Sequence, residues 1–118
     1  GQKYRHYAPK ADMIVYCGDV EDIVKAINKK AKELVENGKK VGIMATDETK
    51  DKYQEGMVIS VGNRRDKRTI AHNLFNILRK FDEKKVNVIL AEGVEFQGIG
   101  IAIMNRMKKA SGGNIIDV

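Results

Sequence analysis

The sequence is poor in several informative residues: among 118 residues it has no tryptophan, one proline and one cysteine. A lone cysteine excludes an intrachain disulfide and a thiolate metal site, so Cys17 is predicted to be a small buried residue rather than a reactive thiol. The longest apolar run, residues 99–104, is far shorter than the roughly 18 residues that cross a membrane. These absences predict a soluble protein of a reducing, cytoplasmic compartment without a membrane partner.

Motifs for catalysis and for metal binding are also missing. The sequence contains two histidines, His6 and His72, and it has no Ser-His-Asp set, Walker loop or His/Cys ligand cluster. We therefore expect neither a catalytic residue nor a metal site among these residues. The chain opens at Gly1 with neither an initiator methionine nor an apolar signal segment, which predicts a fragment of a longer protein.

Positive charge is concentrated in two segments. The chain carries 22 Lys and Arg against 16 Asp and Glu, a net charge of +6. Residues 62–85 hold eight of the basic residues and three acids, while residues 1–10 hold three basic residues and no acid. A basic surface of this kind either contacts RNA or is a solvated helix face, and the sequence leaves both interpretations open.

Five short apolar runs have the length of strands and do not alternate apolar with polar residues. Strands of this kind are buried on both faces, as in a parallel sheet. They cover residues 13–17, 41–45, 57–61, 86–91 and 114–118, with amphipathic helices predicted at 19–37, 66–81 and 98–112. Asp19 is expected to cap the first helix and Gly38 to end it. The pattern predicts an α/β fold with an open, doubly wound parallel sheet of about five strands, Rossmann-like or flavodoxin-like.

Ligands of such a sheet bind beyond the carboxyl ends of its strands. The loops predicted at that edge contain polar, basic and glycine residues, which favours a crevice for a small nucleotide. The candidate crevice residues are Thr46, Asp47, Arg64, Gly98, Gly100, Asn105 and Arg106.

Each part of this crevice has a second interpretation. The turn at 46–48 supplies hydroxyl and carboxylate oxygens suited to a hydrated magnesium ion, or else it is a solvated turn. Arg64 and Arg65 precede a helix and suit a phosphate, or else they belong to a basic surface loop. The Gly-Ile-Gly segment at 98–100 opens a helix as a dinucleotide loop does, but Ile103 replaces the third glycine, which favours close packing instead.

Longer blocks of the sequence resemble a known family. Lys3-Tyr4-Arg5-His6-Tyr7-Ala8-Pro9-Lys10 is similar to the interdomain linker of the two-domain threonylcarbamoyl-AMP synthases. Residues 98–107, Gly-Ile-Gly-Ile-Ala-Ile-Met-Asn-Arg-Met, resemble a block of that family's C-terminal domain, as do shorter segments at 73–82 and 89–92. The resemblance implies that residues 1–10 are a linker arm and that residues 11–118 are a single α/β accessory domain.

By resemblance, the parent enzyme joins L-threonine, bicarbonate and ATP, with magnesium, into L-threonylcarbamoyl-AMP, which serves transfer-RNA modification. Its reacting groups lie in an N-terminal catalytic domain of the same chain, and none can be assigned to these residues. The C-terminal domain would support the linker or have a regulatory role, or alternatively it would dock transfer RNA through its basic face. In it, Asn105 is expected to line the crevice and Arg106 to face the catalytic domain, unless both fix the loop after the fourth strand.

In this family the linker crosses the mouth of the catalytic cleft. Lys3, Tyr4, Arg5, His6 and Tyr7 are therefore the residues expected to cover substrate, with the cations facing phosphate and the tyrosines excluding water. The alternative is an interdomain strap without ligand contact. When the arm is separated from the catalytic domain, we expect it to be poorly ordered or held by a neighbouring molecule.

Overall fold

The computed structural model describes residues 8–118, in which five strands alternate with three α-helices. The strands are β1 (Asp12–Cys17), β2 (Val41–Ala45), β3 (Met57–Ser60), β4 (Val88–Glu92) and β5 (Ile115–Asp117). The helices are α1 (Val20–Glu36), α2 (Lys67–Glu83) and α3 (Ile99–Ala110), and a short 3-10 helix (Lys50–Lys52) precedes β3. None of these helices is both long and apolar enough to span a bilayer.

The strands are parallel and lie in the order β3-β2-β4-β1-β5. Right-handed crossovers place a connection on one face when the chain moves one way across the sheet, and on the other face when it moves back. The step from β1 to β2 runs toward the β3 edge, whereas the steps from β3 to β4 and from β4 to β5 run toward the β5 edge. Accordingly, α1 packs on one face, and α2 and α3 pack together on the other. The predicted doubly wound α/β fold is confirmed.

Both faces of the sheet are covered, which explains why its inner strands lack polar alternation. Every residue of β2 and of β4 is buried. One face packs against Ile23, Ile27 and Ala31 of α1. The other face packs against the apolar side of two helices, namely Ile70, Leu74, Leu78 and Phe81 of α2 with Ile103 and Met107 of α3. The helical spacing predicts these residues to be buried. It predicts the same for Val35, Ile99 and Ala102, which are exposed, so for them the prediction is wrong.

The ends of the elements differ from the prediction in informative ways. Asp19 occupies the N-cap position of α1, but its side chain makes no capping hydrogen bond, so the predicted cap is wrong. Gly38 follows the helix with φ +78°, the left-handed conformation that was expected of it. Strand β4 begins two residues later than predicted and ends one residue later, which brings Glu92 into the sheet.

Gly42 allows β2 to contact an aromatic ring of α2 directly. A Cβ atom at this position would lie 2.6 Å from Cδ1 of Phe81, whose side chain is fully buried. Because such a distance is below any van der Waals contact, the ring occupies the space that a side chain would need.

Replacing Gly42 with alanine should lower the free energy of unfolding by about 1–3 kcal/mol, because the added methyl group overpacks the core. Phe81→Leu is destabilising by itself, but in the Gly42→Ala chain it should recover part of the loss by vacating the contact. Urea unfolding of the two single variants and the double variant measures this coupling. Strictly additive losses would contradict a direct contact between the two positions.

Candidate functional site

A cleft of about 650 Å³ lies at the carboxyl edge of the sheet. It opens where the neighbouring strands β1 and β4 send their following helices to opposite faces of the sheet. Loops that diverge in this way leave a crevice between them, and ligands of open α/β sheets bind in such crevices. The cleft is therefore the candidate functional site of the described chain.

The lining of the cleft combines an apolar floor with charges of both signs. The floor consists of Val20, Val94, Met104 and Ile115. Asp19, Glu95 and Asp117 contribute carboxylates, and Arg64 and Lys108 contribute cations. Three carboxylates against two cations give this lining a small excess of negative charge.

Glu92 is a buried carboxylate at the last position of β4, and its side chain is only 1% exposed. Its Oε1 accepts hydrogen bonds from Thr46 Oγ1 and from Arg64 Nη2, each at 2.9 Å. Its Oε2 accepts hydrogen bonds from the hydroxyl groups of Thr49 and Tyr53. Four donors saturate both carboxylate oxygens, so burial leaves neither oxygen unsatisfied. These five residues are called the Glu92 cluster below.

Arg64 extends the Glu92 cluster to neighbouring loops. Its Nη2 also donates to the carbonyl of Gly93 at 3.0 Å, and its backbone N–H donates to both carboxylate oxygens of Glu48 at 3.1 and 3.0 Å. The side chain is 16% exposed, and its Nε is buried without a hydrogen-bond partner among the described residues. The guanidinium is thus fixed at the border of the cleft with one donor unsatisfied.

The structure brings only some of the predicted crevice residues together. Arg64 and Asn105 line the cleft. Thr46 is buried within the Glu92 cluster, and Asp47 is exposed beside it. Arg106 is exposed on α3 and does not line the cleft. That these residues contact a ligand stays a prediction.

Gly98 and Gly100 shape the backbone where α3 begins. Gly98 has φ +55°, a conformation that favours glycine. A Cβ atom on Gly100 would lie 2.0 Å from the carbonyl oxygen of Glu95, so only glycine fits there. Gly100 therefore permits close packing, as the incomplete motif predicts, but of the preceding loop on the helix rather than of the helix on the sheet. A Cβ atom on Gly98 would meet nothing within 4 Å, so Gly98 serves the backbone conformation alone.

The side chains proposed for a magnesium ion have protein partners instead. Asp47 accepts a hydrogen bond from Ser60 Oγ at 2.6 Å, Glu48 accepts the backbone N–H of Arg64, and Thr46 donates to the Glu92 cluster. Across residues 8–118, no three or more His, Cys, Asp and Glu side chains are grouped so that they could hold a metal ion.

Neither Asn105 nor Arg106 fixes the loop after β4 by a hydrogen bond within the described part of the chain. The backbone N–H of Gly93 instead donates to the carbonyl of Tyr16 at 2.7 Å, and Arg64 binds the carbonyl of Gly93. The loop is therefore held from β1 and from the β3–α2 loop, which leaves Asn105 and Arg106 available for other contacts.

Cys17 lies at the end of β1 and is half-buried, rather than fully buried as predicted. It lines the cleft because β1 ends at the crevice. Burial and then the carboxylate of Asp117 raise the pKa of its thiol, so the neutral form is favoured.

Sequence reasoning missed Glu92, Thr49 and Tyr53 as site residues. One signal in the sequence could have indicated Glu92. It is an acid at the end of the otherwise apolar run 88–92, and that end lies at the edge of the sheet where ligands bind. Its hydroxyl partners lie in residues 46–56, a polar segment for which the sequence predicts only a single helical turn. The structure has a 3-10 turn at Lys50–Lys52 that carries Thr49 and Tyr53 toward the carboxylate.

The linker residues Lys3, Tyr4, Arg5, His6 and Tyr7 lie outside the described residues, and so do the expectations about the order of the arm.

Tyr53→Phe tests the Glu92 cluster. At pH 8 this change should lower the free energy of unfolding by about 1.5–3 kcal/mol, because it removes a hydrogen bond to a carboxylate. Burial and then Glu92 raise the pKa of Tyr53, so this group's contribution is complete below pH about 10 and is lost as the pH rises. The difference between wild type and variant should therefore shrink above pH 10, as measured by urea unfolding.

Tyr16→Phe provides the matched control at pH 8. Tyr16 is also buried, but its hydroxyl forms no hydrogen bond within the described residues, so its removal should change stability little. Equal losses in the two variants would contradict the stabilising role of the Tyr53 hydroxyl.

Comparison with known proteins places this domain. A family model described as threonylcarbamoyl-AMP synthase, C-terminal domain, matches residues 1–112. The threonylcarbamoyl-AMP synthase of Pyrococcus abyssi is 44% identical over 118 residues, which are 100% of this chain and 33% of that protein. The Bacillus subtilis protein of the same name is 41% identical over 116 residues, covering 98% of this chain and 32% of that protein. The chain therefore spans about a third of the length of these curated relatives.

Solved structures agree with this result. The crystal structure of Pyrococcus abyssi Sua5 complexed with L-threonine superposes with a TM-score of 0.86 at 44% identity, covering 100% of this chain and 33% of that chain. A variant of the same protein, in which a consecutive histidine and tyrosine are changed to alanine, superposes with a TM-score of 0.84 at 41% identity. The match covers 93% of this chain and 30% of that chain. The C-terminal Sua5 domain from Pyrococcus horikoshii superposes with a TM-score of 0.76 at 38% identity. The match covers 94% of this chain and 100% of that chain. The chain belongs to the threonylcarbamoyl-AMP synthase C-terminal domain family.

Proposed function

We propose that this chain is the accessory domain of an enzyme that makes L-threonylcarbamoyl-AMP from L-threonine, bicarbonate and ATP for transfer-RNA modification. One observation carries the proposal. This chain is 44% identical, along its whole length, to a segment that makes up 33% of a relative named for that synthesis. The remaining two thirds of such a protein are more than one domain's usual length and would hold the catalytic groups. The single reduced cysteine is consistent with a cytoplasmic location.

The described residues support an accessory rather than a catalytic role. The one buried carboxylate at the sheet edge, Glu92, is saturated by four donors and is not available as a base. ATP and magnesium would be held by the remainder of the parent chain, since no metal-binding group of carboxylates occurs in residues 8–118. The relative solved with L-threonine is a chain three times as long, which is consistent with this division.

A contact at the amino edge of the sheet supports the linker-holding role. The Asp82 carboxylate accepts the backbone N–H of Lys10 at 3.1 Å through each oxygen, and that of Ala11 at 3.4 Å. Asp82 lies in the last turn of α2, where a negative charge interacts unfavourably with the helix dipole. Two backbone donors offset that cost, so the acid serves to fix the chain where the linker meets the domain.

The sequence of the arm suits the proposed covering role. Lys3 and Arg5 can pair with phosphate, while Tyr4 and Tyr7 can shield a hydrolysable mixed anhydride from water. His6-Tyr7 is the one consecutive His-Tyr pair of this sequence, and a solved relative was made with such a pair changed to alanine. We propose that this pair is part of the segment that covers the substrate.

Removing residues 11–118 from the parent enzyme tests the accessory role. Threonylcarbamoyl-AMP formation should fall by roughly 10- to 100-fold, because the linker loses its anchor and misplaced groups cost up to about that factor. The 118-residue chain alone should release no pyrophosphate from ATP, L-threonine and bicarbonate. A fully active truncated enzyme would overturn the supporting role, and pyrophosphate release by the short chain would overturn the accessory assignment.

Asp82→Ala in the parent enzyme tests the anchor itself. Synthesis should fall by roughly tenfold because two linker-end hydrogen bonds are lost. The free energy of unfolding should also fall, by about 1–3 kcal/mol, because the relieved helix-dipole interaction offsets only part of that loss. Pyrophosphate release and thermal unfolding measure the two effects. Glu83→Ala, the exposed neighbour, is the control and should leave both unchanged. Equal activity of the two variants would contradict an anchoring role for Asp82.

A further inference from the structure

A second cavity, the basic groove, lies beside the cleft and has a volume of about 610 Å³. It is lined by residues 64–68 of the β3–α2 loop and the start of α2, and by residues 97–99 at the start of α3. Four of these lining residues are cationic, namely Arg64, Arg65, Lys67 and Arg68, and one, Asp66, is acidic. The groove therefore has a charge balance opposite to that of the cleft.

Most of this positive charge is not compensated by the described protein. Arg64 is paired with Glu92. Arg65, Lys67 and Arg68, in contrast, form no ion pair with any residue of the range 8–118. The Asp66 carboxylate accepts a hydrogen bond from Thr69 Oγ1 at 2.9 Å. Three like charges held within four residues repel one another, and a bound anion would relieve that repulsion.

The backbone at the groove also favours the binding of an anion. Helices α2 and α3 pack on one face and both begin at the carboxyl edge, so their positive ends lie side by side. No side chain caps either helix. Backbone carbonyls accept the N–H groups of Thr69 and Gly100, but no described residue accepts those of Lys67, Arg68 and Ile99.

We propose that the basic groove binds a phosphoryl group through Arg65, Lys67 and Arg68. Guanidinium groups form paired hydrogen bonds with phosphate oxygens, and the lining of the groove offers two unpaired guanidinium groups and one ammonium group. This inference does not depend on the accessory role, because it concerns only groups within residues 8–118. The phosphoryl group can belong to a small molecule or to an RNA backbone, since both present the same oxygens.

Basic residues at the other end of α2 allow an experiment to distinguish a small phosphate ester from RNA, and they supply a matched control. Given a rise of about 1.5 Å per residue along the helix, Arg79 and Lys80 lie about 18–20 Å from Lys67 at the groove, and Lys84 lies about 25 Å from it, with Lys85 next in the chain. A small phosphate ester is too short to reach both ends, whereas an RNA strand lying along α2 would contact both.

The test uses the 118-residue chain, because a homologous C-terminal domain has been solved as a separate chain. Calorimetric titration is carried out with pyrophosphate, AMP and a 12-nucleotide RNA, on wild type, Arg65→Ala/Arg68→Ala and the control Lys84→Ala/Lys85→Ala. The changed side chains are exposed, and thermal unfolding verifies that both variants are folded.

For pyrophosphate or AMP, the groove variant should bind at least about tenfold more weakly than wild type, while the control should bind like wild type. RNA binding that weakens more in the groove variant than in the control, with a steep loss on adding salt, would support the same groove with RNA as the source of phosphate. The proposal is overturned if no probe binds at millimolar concentration, or if pyrophosphate binding weakens equally in the two variants, which indicates bulk charge alone.

Discussion

The carboxyl edge of this domain depends on one buried charge, that of Glu92. A carboxylate that is 1% exposed is tolerated only because four donors reach it, and those donors come from two separate connections of the sheet. Thr46, Thr49 and Tyr53 tie the β2–β3 connection to β4, and Arg64 ties the β3–α2 loop to the same strand. The geometry of both cavities at this edge therefore follows from the satisfaction of a single side chain.

The chirality of the crossovers determines where those cavities can lie. Because α1 leaves β1 on one face and α3 leaves β4 on the other, a cleft opens between two strands that are neighbours in the sheet. Because α2 and α3 share a face, their first turns meet beside that cleft. Arg64 lies at the junction and lines both cavities, so its pairing with Glu92 separates an acidic cleft from a basic groove.

The apolar runs and the helical spacing were sufficient to predict the fold, because strands buried on both faces must be continuously apolar and only helices connect parallel strands compactly. The Glu92 cluster could not be predicted in the same way. Its hydrogen bonds join residues up to 46 positions apart, and no periodic pattern records such a contact. The Asp19 cap failed for a related reason: a residue type suited to a cap does not determine which way its side chain points.

Asp82 fixes the chain at Lys10 and Ala11, immediately before β1, and β1 is paired on both sides, to β4 and to β5. Tension directed along β1 from the preceding chain would load both ladders in shear, so several hydrogen bonds would have to break at once rather than one after another. Such a force would therefore be resisted by both ladders of β1 together.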